Sequence, residues 1–155
     1  MPDAEKLKRY GEKIKIFHGL KIDEVEYVLQ CGKQLNFRPN TNIFHEGMLG
    51  TNLFIVLSGK VGIYNKAELI AECTVGDCFG EMAVLNNRPR NATATALTEC
   101  RVFTLDEKSI NGILEQRVAV RLLLNIIHVL SDWLEQATAE KTRLQKLVKS
   151  LERAS

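Results

Sequence analysis

The 155-residue sequence predicts an α+β fold: a small antiparallel β-barrel or sandwich, of the jelly-roll (double-stranded β-helix) type, between N-terminal helices and a long C-terminal helix. Three observations carry this. Apolar residues recur with a helical period over residues 3–33. They then collapse into short runs broken by Gly, Asn and Pro every 8–12 residues from Gln34 to about Leu105. From Asp106 onward the helical period returns and persists. The corresponding segments are 1–33 (helical), 34–105 (β-roll) and 106–155 (hinge and long helix).

The first segment divides into two helices near His18 and Gly19. In the second, IDEVEYVLQ, Asp23 is placed as N-cap, Ile22, Val25, Val28 and Leu29 have helical spacing, and Gly32 is the C-terminal stop. The strand candidates are NIFHEG, LFIVLSG, VGIYN, LIAECT, ATATAL and CRVFTL, with Ser58 and Gly59 turning one strand into the next. In the last segment Asp106 caps a first turn. Leu123, Ile126, Leu130, Trp133, Ala137, Glu140, Leu144, Leu147 and Leu151 then alternate in spacing between three and four. This coiled-coil seam has Glu140 as its one polar position, and it predicts a homodimer. The competing expectation is a helix that folds back on its own barrel.

Composition excludes several function classes. A formal net charge of +2 gives no footprint for general nucleic-acid binding, and the basic residues near the C-terminus (Lys141, Arg143, Lys146, Lys149, Arg153) suit a solvated helix end. No apolar run approaches a membrane span, and the start, MPDAEKLKRY, is too polar for a signal peptide, so a cytoplasmic protein is expected. Cys31, Cys73, Cys78 and Cys100 lack CxxC spacing and read as reduced thiols acting as small hydrophobes. His18, His45 and His128 are too scattered for a metal site. No catalytic signature is present, so neither an enzyme nor a cofactor is expected.

The segment FGEMAVLNNRPRNAT, residues 79–93, carries the one chemical signal. Gly80 permits a sharp turn, Glu81 to Leu85 suit a short helix whose first N–H groups lack partners within it, and Asn86, Asn87, Arg88 and Pro89 form a turn. Arg90 follows among small residues. Its guanidinium cannot be neutralised, so near a core it needs an anion. That anion is either Glu81, bracing the loop, or a ligand.

FGEMAVLNNRPRNATATAL resembles the phosphate-binding cassette of cyclic-nucleotide-binding domains: F-G-E, a short apolar helix, a variable loop, then R-x-A. RPNTNIFHEGMLGTNLFIVLSGKVGIYN is similar to the strand-and-glycine frame of the same family, and IFHGL to its segment before the first helix. The resemblance spans roughly residues 14 to 135. It implies that Glu81 binds the ribose 2′-hydroxyl and that Gly80 allows the turn beside it. Met82 and Ala83 start the cassette helix, with Ala83 presenting a backbone N–H. Arg90 pairs with the cyclic phosphate, and Asn91 and Ala92 offer N–H groups to it. Arg88 falls in the variable loop. Asn91 stands where the family commonly has Ala, Ser or Thr, which leaves cAMP and cGMP both open. The helix after the barrel reaches the base in family members, so two roles are open to Trp133: stacking on a purine, or packing in the seam. The implied function is a non-catalytic cyclic-nucleotide sensor acting through its C-terminal helix on a protein effector, either alone or as part of a longer protein. The alternative is an interaction protein with an empty barrel and a dimerising coiled coil.

Overall fold

The computed structural model describes residues 3–86, 88–114 and 117–154. It opens with α1 (Ala4–Lys13), a 3-10 turn (Lys15–Phe17) and α2 (Ile22–Cys31). Asp3 caps α1 by accepting from the Lys6 N–H at 2.8 Å. The cap of α2 differs from expectation. Lys21 is the N-cap, its N–H donating to Glu24 Oε2 at 2.7 Å, and Asp23 lies inside the first turn. The sequence places a carboxylate three residues after Lys21, where it reaches back to the cap. Gly32 does end α2, but with extended backbone (φ −115°, ψ −167°) rather than a left-handed cap. The reason for glycine is space: a Cβ there would sit 2.4 Å from Phe103 Cζ and 2.5 Å from the Thr104 carbonyl oxygen. Gly32→Ala is therefore expected to destabilise the fold by about 1–3 kcal/mol, read as a lowered urea midpoint with unchanged slope.

Among the described residues eight strands follow: β1 (Lys33–Phe37), β2 (Asn42–Phe44), β3 (Asn52–Ser58), β4 (Val61–Asn65), β5 (Glu68–Cys73), β6 (Cys78–Phe79), β7 (Thr93–Ala96) and β8 (Cys100–Asp106). They form two four-stranded antiparallel sheets, ordered β1-β8-β3-β6 and β2-β7-β4-β5. Two of these strands, β1 and β6, are absent from the runs picked out by apolar pattern. β1 is an edge strand whose side chains are largely exposed, and it is held in place by backbone pairing with β8 from Lys33↔Thr104 to Phe37↔Cys100. β6 is two residues long.

The run LFIVL in β3 lacks strand alternation because both faces of its sheet are covered. Leu53, Ile55 and Leu57 face a core shared with Ile16, Phe17, Val25 and Val28 of the N-terminal helices. Phe54 and Val56 face a second core with Phe44, Phe79, Ala94 and Val102. In β7 alternation is clean: Ala94 and Ala96 are fully buried between Thr93 and Thr95.

Two helices complete the chain, α3 (Glu81–Asn86) between β6 and β7 aside. Asp106 caps α4 (Glu107–Leu114) as expected, accepting from the Ser109 N–H at 2.8 Å. The last helix, α5 (Val118–Ala154), has 37 residues. Asn125 on α5 donates to the carbonyls of Ile16 (2.8 Å) and His18 (2.9 Å), and Arg121 donates to the Gly19 carbonyl. These bonds fix the start of α5 against the N-terminal turn. Among the described residues no helix is long and apolar enough to cross a membrane.

Candidate nucleotide-binding site

Gly80 leaves β6 at φ +78°, a left-handed conformation that other residues adopt at a cost, and α3 begins at the next residue. The turn puts the Gly80 carbonyl 2.7 Å from Arg90 Nη1. Arg90 Nη2 donates to the Asn52 carbonyl at 2.8 Å. The guanidinium lies over the Phe44 ring, 4.2 Å from its centroid, and 5.5 Å from that of Phe54. Its backbone is clamped to the EGMLG loop, with Gly47 N–H donating to the Arg90 carbonyl (2.7 Å) and Arg90 N–H to the Met48 carbonyl (2.8 Å). Gly50 belongs to the same cradle: a Cβ there would come within 2.9 Å of Arg90 Nε.

Arg90 is thus 5% exposed, held by carbonyl oxygens and aromatic faces. The ion pairs found among the described residues, Lys15–Asp77 and Arg143–Glu140, do not include it. The alternative of a direct Arg90–Glu81 brace therefore does not describe this geometry. Burial lowers the Arg90 pKa, and the nearby Glu81 charge opposes that shift. Two of the five guanidinium N–H donors are committed to carbonyls, so donors remain for an anion.

Glu81 is 9% exposed, and its Oε2 has no hydrogen-bond partner. Burial raises its pKa above the usual value of 4.5, while its own backbone N–H and the Arg90 charge pull it back. A carboxyl whose native pKa is raised binds more protons folded than unfolded, so stability falls as pH rises from the ordinary carboxylate range through the raised value. Glu81→Gln is expected to flatten that slope and to stabilise the ligand-free protein at neutral pH, measured by urea unfolding across pH 4–8.

Gly80, Glu81, Met82, Arg90, Asn91, Ala92 and Trp133 line one cavity of about 470 Å3. Ala83 lies in α3 beside it, its side chain outside the described residues; so is Asn87 of the expected turn. Asn91 is exposed and Ala92 buried. From α5, Gln136, Ala137 and Glu140 join Trp133 on this wall, and from β5 Ile70, Ala71, Glu72 and Cys73 form another. Burial pushes the Cys73 thiol up to about 12, and the Asp77 and Glu81 charges push the same way. Sequence reasoning missed the supports of Arg90, namely Phe44, Asn52 and the Gly50 cradle, although EGMLG was the available signal. A second cavity of about 100 Å3, lined mainly by apolar side chains, lies between β3, α3, α4 and α5. Glu81 and Trp133 line both.

Residues 34–117, more than half of the chain, match the family model "Cyclic nucleotide-binding domain". The Cyclic AMP receptor protein of Thermus thermophilus is 32% identical over 95 residues, covering 58% of this chain and 44% of that protein. A cGMP-dependent protein kinase of Caenorhabditis briggsae is 26% identical over 128 residues, 83% of this chain and 17% of that protein. The chain therefore spans less than half the length of these relatives. The crystal structure of Thermus thermophilus Catabolite Activator Protein superposes with a TM-score of 0.75 at 27% identity, covering 84% of this chain and 63% of that one. The family model matches more than half of the chain, and the two-sheet architecture superposes on a related structure: this chain belongs to the cyclic nucleotide-binding domain family.

Proposed function

We propose that this chain is a non-catalytic regulatory module that binds cAMP or cGMP and signals through its C-terminal helix, as a homodimer, to a protein effector. The observation that carries the reading is Arg90, a buried guanidinium with no carboxylate bonded to it, at the wall of a cavity large enough for a nucleotide. Its free N–H donors take the cyclic phosphate in a charge-assisted pair, helped by backbone N–H groups at Ala83, Asn91 and Ala92. Glu81 Oε2 accepts from the ribose 2′-hydroxyl, which supplies the partner this oxygen lacks in the free protein. Met82 and Gly80 shape the turn. Trp133 covers the base from α5, where stacking contributes ~1–3 kcal/mol. The two sheets are the halves of one jelly-roll barrel around the Phe44 and Phe79 core.

Signalling needs different affinity for two positions of α5. The mainly apolar cavity that shares Glu81 and Trp133 with the nucleotide cavity gives the helix room to move when the nucleotide is bound. The ribose contact has its own test: Glu81→Ala is expected to lower affinity for the natural nucleotide while costing little against its 2′-deoxy analogue. Equal losses on both ligands would remove Glu81 from the ribose.

A further inference from the structure

Protein cores hold few voids larger than a water molecule, yet a cavity of about 100 Å3 stands where α3, α4 and α5 meet over β3. Leu53 of β3, Val84 of α3, Ile113 of α4, and Leu122 and Ile126 of α5 line it. Ile126 and Trp133, read from their spacing as seam positions, pack here on the chain's own helical core. Glu81 also lines the cavity, but among the described residues no nitrogen or oxygen surface opens into the space. A water held there would need about two to four polar partners and finds none, so the space stays dry.

We infer that this cavity is a second ligand site, for a small apolar molecule the size of one aromatic ring, and that its occupant opposes nucleotide binding. A dry apolar cavity of roughly 150 Å3 takes up benzene. The space here, about 100 Å3, suits a single ring and is too small for a fused pair. Side chains facing a void lack packing partners on that side, and the ring supplies them without requiring a polar contact. The position of the cavity makes the site regulatory. α3 carries Glu81 and α5 carries Trp133, and both residues also line the nucleotide cavity. A ring packed between Val84 and Ile126 fixes α5 where it now stands and takes up the room that the helix movement proposed above requires. The opposition therefore rests on the nucleotide reading, whereas the site itself does not. Coupling is reciprocal, so the nucleotide lowers the affinity of the apolar ligand by the same factor.

Fluorobenzene is the probe, followed by fluorine NMR on the full chain. The wild type is expected to bind it saturably at one site per chain, with a Kd of about 1 mM or below. The emission of Trp133, the one tryptophan of the chain, is expected to change over the same range. Near-saturating fluorobenzene is expected to raise the Kd for cAMP or cGMP about fivefold or more. Ala119 lines this cavity and not the nucleotide cavity. Ala119→Leu, which fills the space, is expected to lose the fluorobenzene site, so that the probe no longer alters its nucleotide affinity. Val84→Ala, which widens the space, is expected to take p-xylene several-fold more tightly than the wild type does, a result that does not depend on how well Ala119→Leu folds. Uptake that never saturates, or that is the same in Ala119→Leu and the wild type, overturns the site, as does equal p-xylene binding in Val84→Ala. A saturable site with unchanged or improved nucleotide affinity overturns the opposition. Saturable binding in a chain that takes neither nucleotide supports the site and overturns the opposition together with the sensor reading.

Discussion

Arg90→Ala is expected to weaken cyclic-nucleotide binding by ~2–4 kcal/mol, roughly 30- to 1,000-fold in Kd. The phosphate would lose its one charge-assisted partner inside a site whose nearest other charge, Glu81, repels it. The same substitution removes donors from the Gly80 and Asn52 carbonyls and uncovers the Phe44 ring. A stability loss accompanies the affinity loss, so thermal unfolding of the ligand-free variant must be measured beside the titration. Arg90→Lys separates the two contributions. It keeps the charge and gives up the planar fork that reaches both carbonyls and the phosphate together, and it is expected to bind between wild type and Arg90→Ala. Unchanged affinity in Arg90→Ala, in a folded protein, contradicts the phosphate role.

The second large effect is expected at Leu144, a position of the seam that the three-four spacing of the last helix predicts. In the proposed homodimer Leu144→Glu places two carboxylates against each other across the two-fold axis. It is expected to raise the dimer dissociation constant about a hundredfold or more, seen as a dimer-to-monomer change in sedimentation. Because Leu144 is exposed and lies far along α5 from the sheets, the sheets are expected to unfold at an unchanged temperature when monitored apart from the helix. Loss of the sheets in this variant would show that α5 supports the fold in a way these contacts do not describe.

How much of this was legible in the sequence depended on whether side chains or backbone carried the information. Strands β3, β4, β7 and β8 announce themselves through apolar runs and glycine turns. β1 does not, because KQLNF is an exposed edge strand selected by pairing with β8. Arg90 and Glu81 were readable as a charged pair among small residues. Their actual relation was not, because carbonyl oxygens of Gly80 and Asn52 leave no trace in residue identity. The inward face of the last helix was legible only in part. Between Val118 and Leu130 the helix is apolar on two faces, Leu122, Ile126 and Val129 inward and Val120, Leu124 and Ile127 outward. Spacing alone cannot say which face packs on the N-terminal helices; the bonds of Asn125 and Arg121 to the N-terminal turn mark it.

The central claim is that the cavity at Arg90 takes a cyclic nucleotide. Calorimetric titration of the purified chain with cAMP, and separately with cGMP, tests it most directly. The account predicts micromolar or tighter binding of at least one of them, with one site per chain. No heat with either nucleotide, on a folded sample checked free of bound ligand, would contradict it.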